Sequence, residues 1–328
     1  VYRQFSTTKV IICTAAMMLF ERGRFLMDDP LYEYFPEWKD TMVADTGEDG
    51  GIYIRAAKRP IQIRDCFSMA MGIGYGGEDY THQMMEKVRR NLAETVGDYT
   101  LRQDIYAMSQ VPVRFDPGTH FLYGFGHELV AGLIEVVSGK KVSDFLQSEL
   151  FEPLEMKETG YRPAASLRLR CCAEEVMESR GGVVRGVVHD GKAFKLGGVS
   201  GHAGVFSTLE DISHYITMLL NDGVYNGQRF FSKRTIELLQ KCQTVGLNEK
   251  RSIGWVLSDP NYALGDYASD ACLYHTGFSG PSIIVDFKLG IGVVTLANRV
   301  HPTRSNTKIL TARNNIHNLA LQAADDIL

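Results

Sequence analysis

Hydrophobic residues fill the chain from Val10 to Phe20 almost without interruption. A helix that is apolar on all sides is buried, and Glu21 and Gly23 supply a charged last turn and a glycine end. The run is much shorter than the ~20 apolar residues that a membrane span needs. The pattern therefore predicts a central core helix, with Ser6 at its electropositive N-terminal end.

Apolar residues at helical spacing predict further helices downstream. Residues 27–38 indicate a turn and a short helix that leads into a loop, and residues 61–160 are mostly helical in pattern. Within and beyond that region, the clearest helices are predicted over residues 121–138 and 209–221.

Strands follow a glycine-rich part of the chain that begins near residue 181. Apolar runs at 272–277, 281–287 and 291–298 predict a three-stranded antiparallel meander. A last helix is expected to pack on this sheet through one apolar stripe, which comprises Ile309, Ala312, Ile316, Leu319, Ala320, Ala323 and Ile327.

The composition indicates a globular protein with a large core. The chain has 328 residues, of which 45% are hydrophobic. We expect one unit in two lobes. Residues from about 22 to 160 form a mostly helical lobe, and residues 1–21 join residues from about 161 to 328 in a lobe that holds the core helix and the sheet.

Charge and cysteine content exclude several kinds of partner. The net charge is -4 and no run of lysine and arginine is present, so no nucleic acid is expected as a partner. Six cysteines lack zinc-like spacing. His202 is interpreted as a structural loop residue, because a metal site with His189 and Asp190 lacks a third spaced ligand. No cofactor, metal or transmembrane segment is predicted, and the oligomeric state stays open.

A serine and a lysine three positions apart precede the core helix, at Ser6 and Lys9. Positions three apart share one helical face, so Lys9 can reach the Ser6 hydroxyl and act as its base once it is desolvated. The pattern is common, since it recurs at Ser138 with Lys141 and at Ser305 with Lys308. Both repeats are interpreted as solvated surface.

The chain resembles the serine β-lactamase and penicillin-binding-protein superfamily, especially its class C-like esterase and D-peptidase branch. The resemblance implies an α/β (α+β) fold, with an antiparallel sheet flanked by helices and a mostly helical lobe. The matching segments follow the family's order over nearly the whole chain: Phe5 to Lys9, Met27 to Pro30, Ile61 to Asp65, Pro117 to Tyr123, Phe151 to Met156, Gly198 to Thr208, and His275-Thr276-Gly277.

The resemblance assigns catalytic roles to individual residues. Ser6 would be the acylated nucleophile, Lys9 its base, and Tyr123 a phenol that helps to move the serine proton. The backbone N–H groups of Ser6 and Phe278 would form the oxyanion hole. A core tyrosine with a satisfied hydroxyl is the alternative for Tyr123.

The substrate-binding residues depart from the family pattern at two positions. Phe125 stands where penicillin-recognising members have asparagine, and His275 stands where they usually have lysine. We therefore expect ester cleavage ahead of β-lactam turnover. His275, Thr276, Gly277, Phe125 and Trp255 are the predicted substrate-binding residues, with a core role for Trp255 equally compatible with its position.

The front of the chain is the largest departure from the family. Five residues precede Ser6, whereas the family has several dozen, including two sheet strands and a helix. We expect either a sequence that is incomplete at this end or another segment that completes the sheet, because an open edge invites pairing. No signal peptide is visible, which favours the bacterial cytoplasm over export.

Two classes of function follow from these observations. The first is a serine hydrolase that forms an acyl-enzyme on Ser6 and cleaves a small ester, amide or peptide, with esterase ahead of β-lactamase or D-amino-acid peptidase. The second is a catalytically silent relative that binds peptide-like ligands. Retention of Ser6, Lys9 and Tyr123 favours the first, because a silent relative has no physical reason to keep a buried lysine.

Overall fold

A computed structural model describes residues 1–258 and 264–326 of the chain, in which helices and small antiparallel sheets alternate. The α-helices are α1 (Thr8–Glu21), α2 (Ile63–Phe67), α3 (Tyr80–Val96), α4 (Leu101–Ser109), α5 (Gly126–Ser138), α6 (Val142–Leu146), α7 (Ala165–Arg168), α8 (Gly191–Lys195), α9 (Leu209–Leu220), α10 (Lys233–Leu239) and α11 (Lys308–Gln322). Among the described helices, none combines the length and apolar character of a membrane span.

The strands are short and pair in antiparallel fashion. They are β1 (Tyr2–Arg3), β2 (Met42–Thr46), β3 (Ile52–Ala56), β4 (Gly160–Tyr161), β5 (Val176–Met177), β6 (Gly182–Val183), β7 (Val205–Ser207), β8 (Val224–Tyr225), β9 (Gln228–Arg229), β10 (Val256–Leu257), β11 (Cys272–Thr276), β12 (Ser282–Asp286) and β13 (Ile291–Thr295).

The predicted meander is confirmed as β11, β12 and β13, and β10 adds a fourth strand on the far side of β11. All five residues of β12 are buried, as expected of a strand that is covered on both faces. Within the described residues β13 pairs only with β12, so its other edge carries no strand.

A second sheet fixes the start of the chain. β1 pairs with β7, which also pairs with β4, and the register places Tyr2 opposite Ser207 and Arg3 opposite Phe206. Beyond the strand, the N–H of Gln4 donates to the carbonyl oxygen of Val205 at 2.8 Å. These bonds hold the residues that lead into Ser6.

The core helix is confirmed as α1, whose residues from Thr8 to Leu19 are all buried. It packs against α5, and its Thr14 hydroxyl lies 2.7 Å from the hydroxyl of Tyr215 on α9. Ser6 itself precedes the α-helix, in a 3₁₀ turn over Phe5–Thr7. The candidate nucleophile therefore lies on a tight turn immediately before the buried helix α1.

The predicted apolar face of the last helix is wrong. α11 buries Arg313, His317 and Leu321, whereas Ile316 and Leu319 are 39% and 67% exposed. The buried face of α11 differs from the predicted face because His317 on it makes a buried hydrogen bond of 2.8 Å to Ser282 on β12. Ile327 lies outside the described residues.

Two further expectations differ from the structure. Helix α5 begins at Gly126, five residues later than predicted, and this leaves Tyr123 on a loop. Residues 42–56 form the β2–β3 hairpin instead of a loop. The alternation of apolar and polar residues that marks a half-buried strand is missing in β3, where the consecutive residues Ile52, Tyr53 and Ile54 are all exposed.

Candidate active site

Ser6 and Lys9 are in direct contact. Lys9 Nζ lies 2.8 Å from Ser6 Oγ and 3.0 Å from the carbonyl oxygen of His202. The lysine side chain is almost completely buried, at 1% exposed. A desolvated lysine within hydrogen-bonding distance of a serine hydroxyl is the arrangement in which lysine can activate a nucleophile.

The other two serine–lysine pairs do not form this contact. Ser138 donates to the carbonyl oxygen of Ile134 at 2.6 Å, while Lys141 lies 3.7 Å from Glu135. Ser305 and Lys308 are both exposed. Burial and geometry therefore separate the pair at residues 6 and 9 from its sequence repeats.

The backbone bends sharply immediately before Ser6. Phe5 has a φ of +47°, a left-handed conformation that is unfavourable for a residue with a side chain. Its ring is held by contacts with His189 (5.6 Å between centroids) and Phe278 (5.7 Å). Backbone strain of this kind is concentrated at functional sites, where the surrounding structure maintains it.

Two tyrosine rings cover the Lys9 amine. Lys9 Nζ lies 4.9 Å from the ring centroid of Tyr123 and 5.4 Å from that of Tyr75, and the two rings are 5.3 Å apart. In the described part of the chain, the Tyr123 hydroxyl makes no hydrogen bond to Ser6 or Lys9. The structure thus brings the Tyr123 ring to the pair without a hydrogen bond from its phenol.

Tyr75 was not identified from the sequence. Its hydroxyl is buried and has no hydrogen-bond partner among the described residues. Burial, with the neighbouring Tyr123, raises the pKa of Tyr75 well above its ordinary value, so the phenol keeps its proton. The only sequence signal was its position in the glycine-rich segment 72–77.

His275 carries no charge in this environment. Burial, reinforced by Lys9 and Arg251, holds the pKa of its imidazole well below the ordinary value. Nδ1 lies 2.9 Å from the carbonyl oxygen of Thr276, and because a carbonyl only accepts, Nδ1 bears the hydrogen. Nε2 is then an acceptor, and it is buried without a partner in the described residues.

The segment after His275 lies against the turn that carries Ser6. A Cβ atom on Gly277 would stand 2.6 Å from the carbonyl oxygen of Gln4 and 2.6 Å from Pro281, so this close approach requires glycine. Phe278 follows, 41% exposed at the cavity. Of the described backbone hydrogen bonds outside regular elements, none uses the N–H of Ser6 or Phe278.

Two predicted substrate-binding side chains are buried and are not among the residues that line the cavity at Ser6. Phe125 is 7% exposed, with its ring 4.1 Å from the Arg89 guanidinium carbon and 4.1 Å from Lys192 Nζ. Trp255 is fully buried and stacks on Tyr215. Both rings are in the interior, where packing partners occupy their faces.

A cavity of about 470 Å³ opens above Ser6. Its lining combines aromatic rings, two histidines, a carboxylate and two arginines, from segments far apart in the chain. The lining residues are Phe5, Ser6, Tyr75, Tyr123, Met177, Arg180, His189, Asp190, Gly191, His202, Ala203, Phe278 and Arg304.

His202 is clamped between two carboxylates. Its Nε2 lies 3.0 Å from Asp190 Oδ1, and its Nδ1 contacts Glu128, which also accepts from the Ser200 hydroxyl at 2.5 Å. Burial opposes ionisation of Glu128, but Lys192 and His202 hold its pKa well below the ordinary value. These contacts hold the loop in which the His202 carbonyl oxygen accepts a hydrogen bond from Lys9 Nζ.

The fold and the pairing of a serine with a buried lysine define a serine hydrolase with the β-lactamase/transpeptidase-like architecture. Comparison with protein families agrees, because the family described as Beta-lactamase matches residues 1–317. The chain belongs to the beta-lactamase family.

Proteins similar to this chain include an amidase, a synthase and a hydrolase. An N-acetylmuramyl-L-alanine amidase of Bacillus subtilis is 26% identical over 315 residues, which cover 90% of this chain and 67% of that protein. Simvastatin synthase (LovD) from Aspergillus terreus has a TM-score of 0.74 at 17% identity, covering 99% of this chain and 84% of that one. EstCE1, a hydrolase with promiscuous acyltransferase activity, has a TM-score of 0.68 at 18% identity, with 96% and 84% covered. The two structural likenesses concern the fold alone.

Proposed function

We propose that the protein cleaves small carboxylic esters through an acyl-enzyme on Ser6. The observation that carries this proposal is the distance of 2.8 Å between Lys9 Nζ and Ser6 Oγ in a buried environment. An unprotonated lysine has two N–H bonds and one lone pair. In that form, Lys9 can donate a hydrogen bond to the His202 carbonyl oxygen while its lone pair accepts a hydrogen bond from the Ser6 hydroxyl.

The proposed reaction has two steps, acylation of Ser6 and hydrolysis of the acyl-enzyme. Ser6 Oγ forms a bond to the substrate carbonyl carbon as its proton passes to Lys9, and the proton then reaches the leaving alkoxide when the carbon–oxygen bond breaks. Water releases the acyl group by the reverse transfers. The N–H groups of Ser6 and Phe278 stabilise the oxyanion.

Tyr123 assists the proton transfers in this mechanism. Its ring stands 4.9 Å from Lys9 Nζ, and catalytic hydrogen bonds in unliganded enzymes are often long until substrate binds. In this proposal the phenol donates to the leaving oxygen once substrate is bound.

The binding groups favour esters over β-lactams. A neutral, buried His275 supplies no positive charge to a β-lactam carboxylate. Phe125 supplies no amide to the substrate's amide side chain, and its ring is enclosed by Arg89 and Lys192.

Amide cleavage is the second candidate function. The Bacillus subtilis relative, whose name is that of an amidase, aligns with 90% of this chain at 26% identity. An amide requires full protonation of its leaving nitrogen, so this reaction depends more strongly on the Tyr123 hydroxyl.

Labelling by a fluorophosphonate probe tests the nucleophile. We expect one label on the wild-type protein, none on Ser6→Ala, and labelling slower by about 10²–10⁴-fold on Lys9→Met, because the general base is lost. The matched controls are Ser138→Ala and Lys141→Met, which alter a sequence repeat on the surface. Full labelling of Ser6→Ala would contradict the assignment.

Substrate comparison ranks the candidate reactions. Turnover of p-nitrophenyl butyrate, alanine p-nitroanilide and nitrocefin is measured on the same preparation. Rapid nitrocefin turnover without ester cleavage would overturn the preference for esters over β-lactams. A protein that binds peptides but forms no covalent adduct with any acyl probe would be a silent relative.

A further inference from the structure

The hairpin turn that connects β11 to β12 carries Phe278, whose N–H is proposed to bind the oxyanion. Two hydrogen bonds close this turn from within. The N–H of Gly277 donates to the carbonyl oxygen of Pro281 at 2.7 Å, and the N–H of Gly280 donates to that of Gly277 at 3.0 Å. Neither bond uses the carbonyl oxygens of Phe278 and Ser279, which therefore need partners from outside the turn.

One residue supplies both of these partners. Arg299, which follows β13, donates from its backbone N–H to the carbonyl oxygen of Ser279 at 2.8 Å and from Nε to that of Phe278 at 2.9 Å. Its guanidinium carbon also lies 4.6 Å from the ring centroid of Phe278, a distance at which a cation and an aromatic ring attract each other. Arg299 therefore contacts both the backbone and the ring of Phe278.

The other end of the guanidinium is fixed by the loop that follows Arg299. Nη1 donates to the carbonyl oxygens of Arg304 at 2.7 Å and Asn306 at 2.8 Å. All of the hydrogen bonds described for this side chain thus go to backbone carbonyl oxygens, and Arg304 itself lines the cavity. The planar fork of an arginine holds such partners in fixed relative positions, so Arg299 ties the hairpin turn to the wall of the cavity.

The side chain of Arg299 holds a peptide plane that no other described hydrogen bond holds. A trans peptide is planar, so its carbonyl and its N–H point in opposite directions. The plane with the Phe278 N–H is held through the Gly277 carbonyl oxygen. The plane with the Gly280 N–H is held through the Ser279 carbonyl oxygen. Among the described hydrogen bonds, the plane between these two has only the bond from Arg299 Nε to the Phe278 carbonyl oxygen.

We propose that Arg299 is a positioning residue, whose guanidinium keeps the Phe278 N–H directed at the substrate oxygen that becomes negatively charged. This inference rests on the proposed acyl-enzyme at Ser6. A donor stabilises an oxyanion most when it is oriented before the reaction, because reorganisation during the reaction costs free energy. Phe278 lies in a turn, without the support of a regular element, and Arg299 supplies that support from the segment after β13.

Replacement of the guanidinium tests the proposal through kcat and KM. Arg299→Met should lower kcat for p-nitrophenyl butyrate about tenfold or more and change KM less than about twofold, because the oxyanion develops only in the transition state. Arg299→Lys keeps a donor and a charge and should recover part of kcat. Arg229→Met is the matched control, since that exposed arginine also donates from Nη1 to two carbonyl oxygens, those of Asp222 and Phe231, but does not line the cavity.

A thionoester separates the orientation of the Phe278 N–H from general damage to the fold. Sulfur is a weak hydrogen-bond acceptor, so the thiono analogue of p-nitrophenyl butyrate gains little from an oxyanion donor. Arg299→Met should therefore lose about tenfold more turnover on the oxygen ester than on the thionoester. Equal losses on the two substrates would show that Arg299 only holds its loop and would overturn the proposal. Arg299→Lys carries the same comparison if Arg299→Met does not fold.

A transition-state analogue keeps the test independent of turnover. Propylboronic acid forms a tetrahedral adduct with a reactive serine, in which one boron-bound oxygen takes the place of the oxyanion. We expect its dissociation constant to be about tenfold higher for Arg299→Met than for the wild-type protein and Arg229→Met. Absence of fluorophosphonate labelling on wild-type protein would contradict the proposed function of Ser6. Normal labelling with equal boronate affinity in wild-type protein and Arg299→Met would overturn only the role of Arg299.

Discussion

Lys9 Nζ donates a hydrogen bond of 3.0 Å to the carbonyl oxygen of His202, a residue 193 positions further along the chain. The imidazole of His202 is in turn held by Glu128 and Asp190. The amine beside Ser6 is thus oriented by a loop that buried charges secure. The stability of this loop and the reactivity of the serine should change together.

Glu128→Gln tests this coupling. The change keeps the side-chain volume but removes the charge that faces His202 and Lys192, so unfolding free energy should fall by about 3 kcal/mol, as for other broken buried ion pairs. Labelling of Ser6 should also slow. Urea unfolding and labelling rates check both effects, with exposed Glu94→Gln as the control. Unaltered labelling in a destabilised Glu128→Gln protein would separate the loop from catalysis.

Tyr75→Phe should leave the fold intact or stabilise it by up to about 1 kcal/mol. Its buried hydroxyl has no partner in the described residues, and an unpaired buried polar group is unfavourable. Tyr161→Phe is the matched comparison, because that hydroxyl donates to Ser200 at 2.7 Å and its loss should cost about 1 kcal/mol. Thermal unfolding measures the difference, and equal losses in both variants would indicate a partner for the Tyr75 hydroxyl.

Gly277→Ala should disturb the proposed oxyanion hole. The added Cβ would meet the Gln4 carbonyl oxygen and Pro281 at 2.6 Å, so the turn that carries Phe278 must move. We expect acylation to slow at least about tenfold, since one oxyanion donor contributes more than this. Gly160→Ala is the control, with its nearest atom 3.7 Å away. Equal acylation rates in the two variants would place the Phe278 N–H outside the reaction.

Stability should fall as the pH rises through neutrality because of Glu174. Burial raises the pKa of this carboxyl to about 7, despite Arg3 at 3.3 Å. Between its unfolded value of 4.5 and about 7, the folded state binds more protons than the unfolded state. Its contribution is therefore complete below pH 4.5 and decreases through pH 7, by on the order of 3 kcal/mol.

Comparison of unfolding curves at pH 5.5 and pH 8 checks this prediction. Glu174→Gln should flatten the pH dependence in that interval, whereas exposed Glu178→Gln should not. A pH dependence that persists unchanged in Glu174→Gln would assign it to another group.

The sequence predicted those elements whose pattern is set by burial alone. α1 and the strands β11 to β13 are enclosed by the core, so their apolar runs are continuous. The face of α11 was mispredicted because the bond between His317 and Ser282 replaces an apolar contact, and hydropathy does not record a polar partner across space. The pairing of Ser6 with Lys9 could be predicted because it is local.

The cavity lining was harder to predict for the same physical reason. Tyr75 and Arg180 lie on irregular segments without periodicity, and nothing nearby in sequence marks them. Phe125 was placed by its motif position, but its ring turns towards the cations Arg89 and Lys192 in the interior. Both the cavity lining and the orientation of the Phe125 ring depend on residues that are distant in sequence, which a local pattern does not show.

The wall of the cavity is assembled from chain positions as distant as Phe5 and Arg304. Such a surface exists only when the two ends of the polypeptide and its middle have all reached their native places, and long-range contacts of this kind form late and cooperatively. Under the proposed function, the reactivity of Ser6 therefore measures the population of native molecules. In a denaturation series, the fraction of molecules that a serine-directed probe can label should track the fraction folded, which makes chemical modification a quantitative assay of folding for this protein.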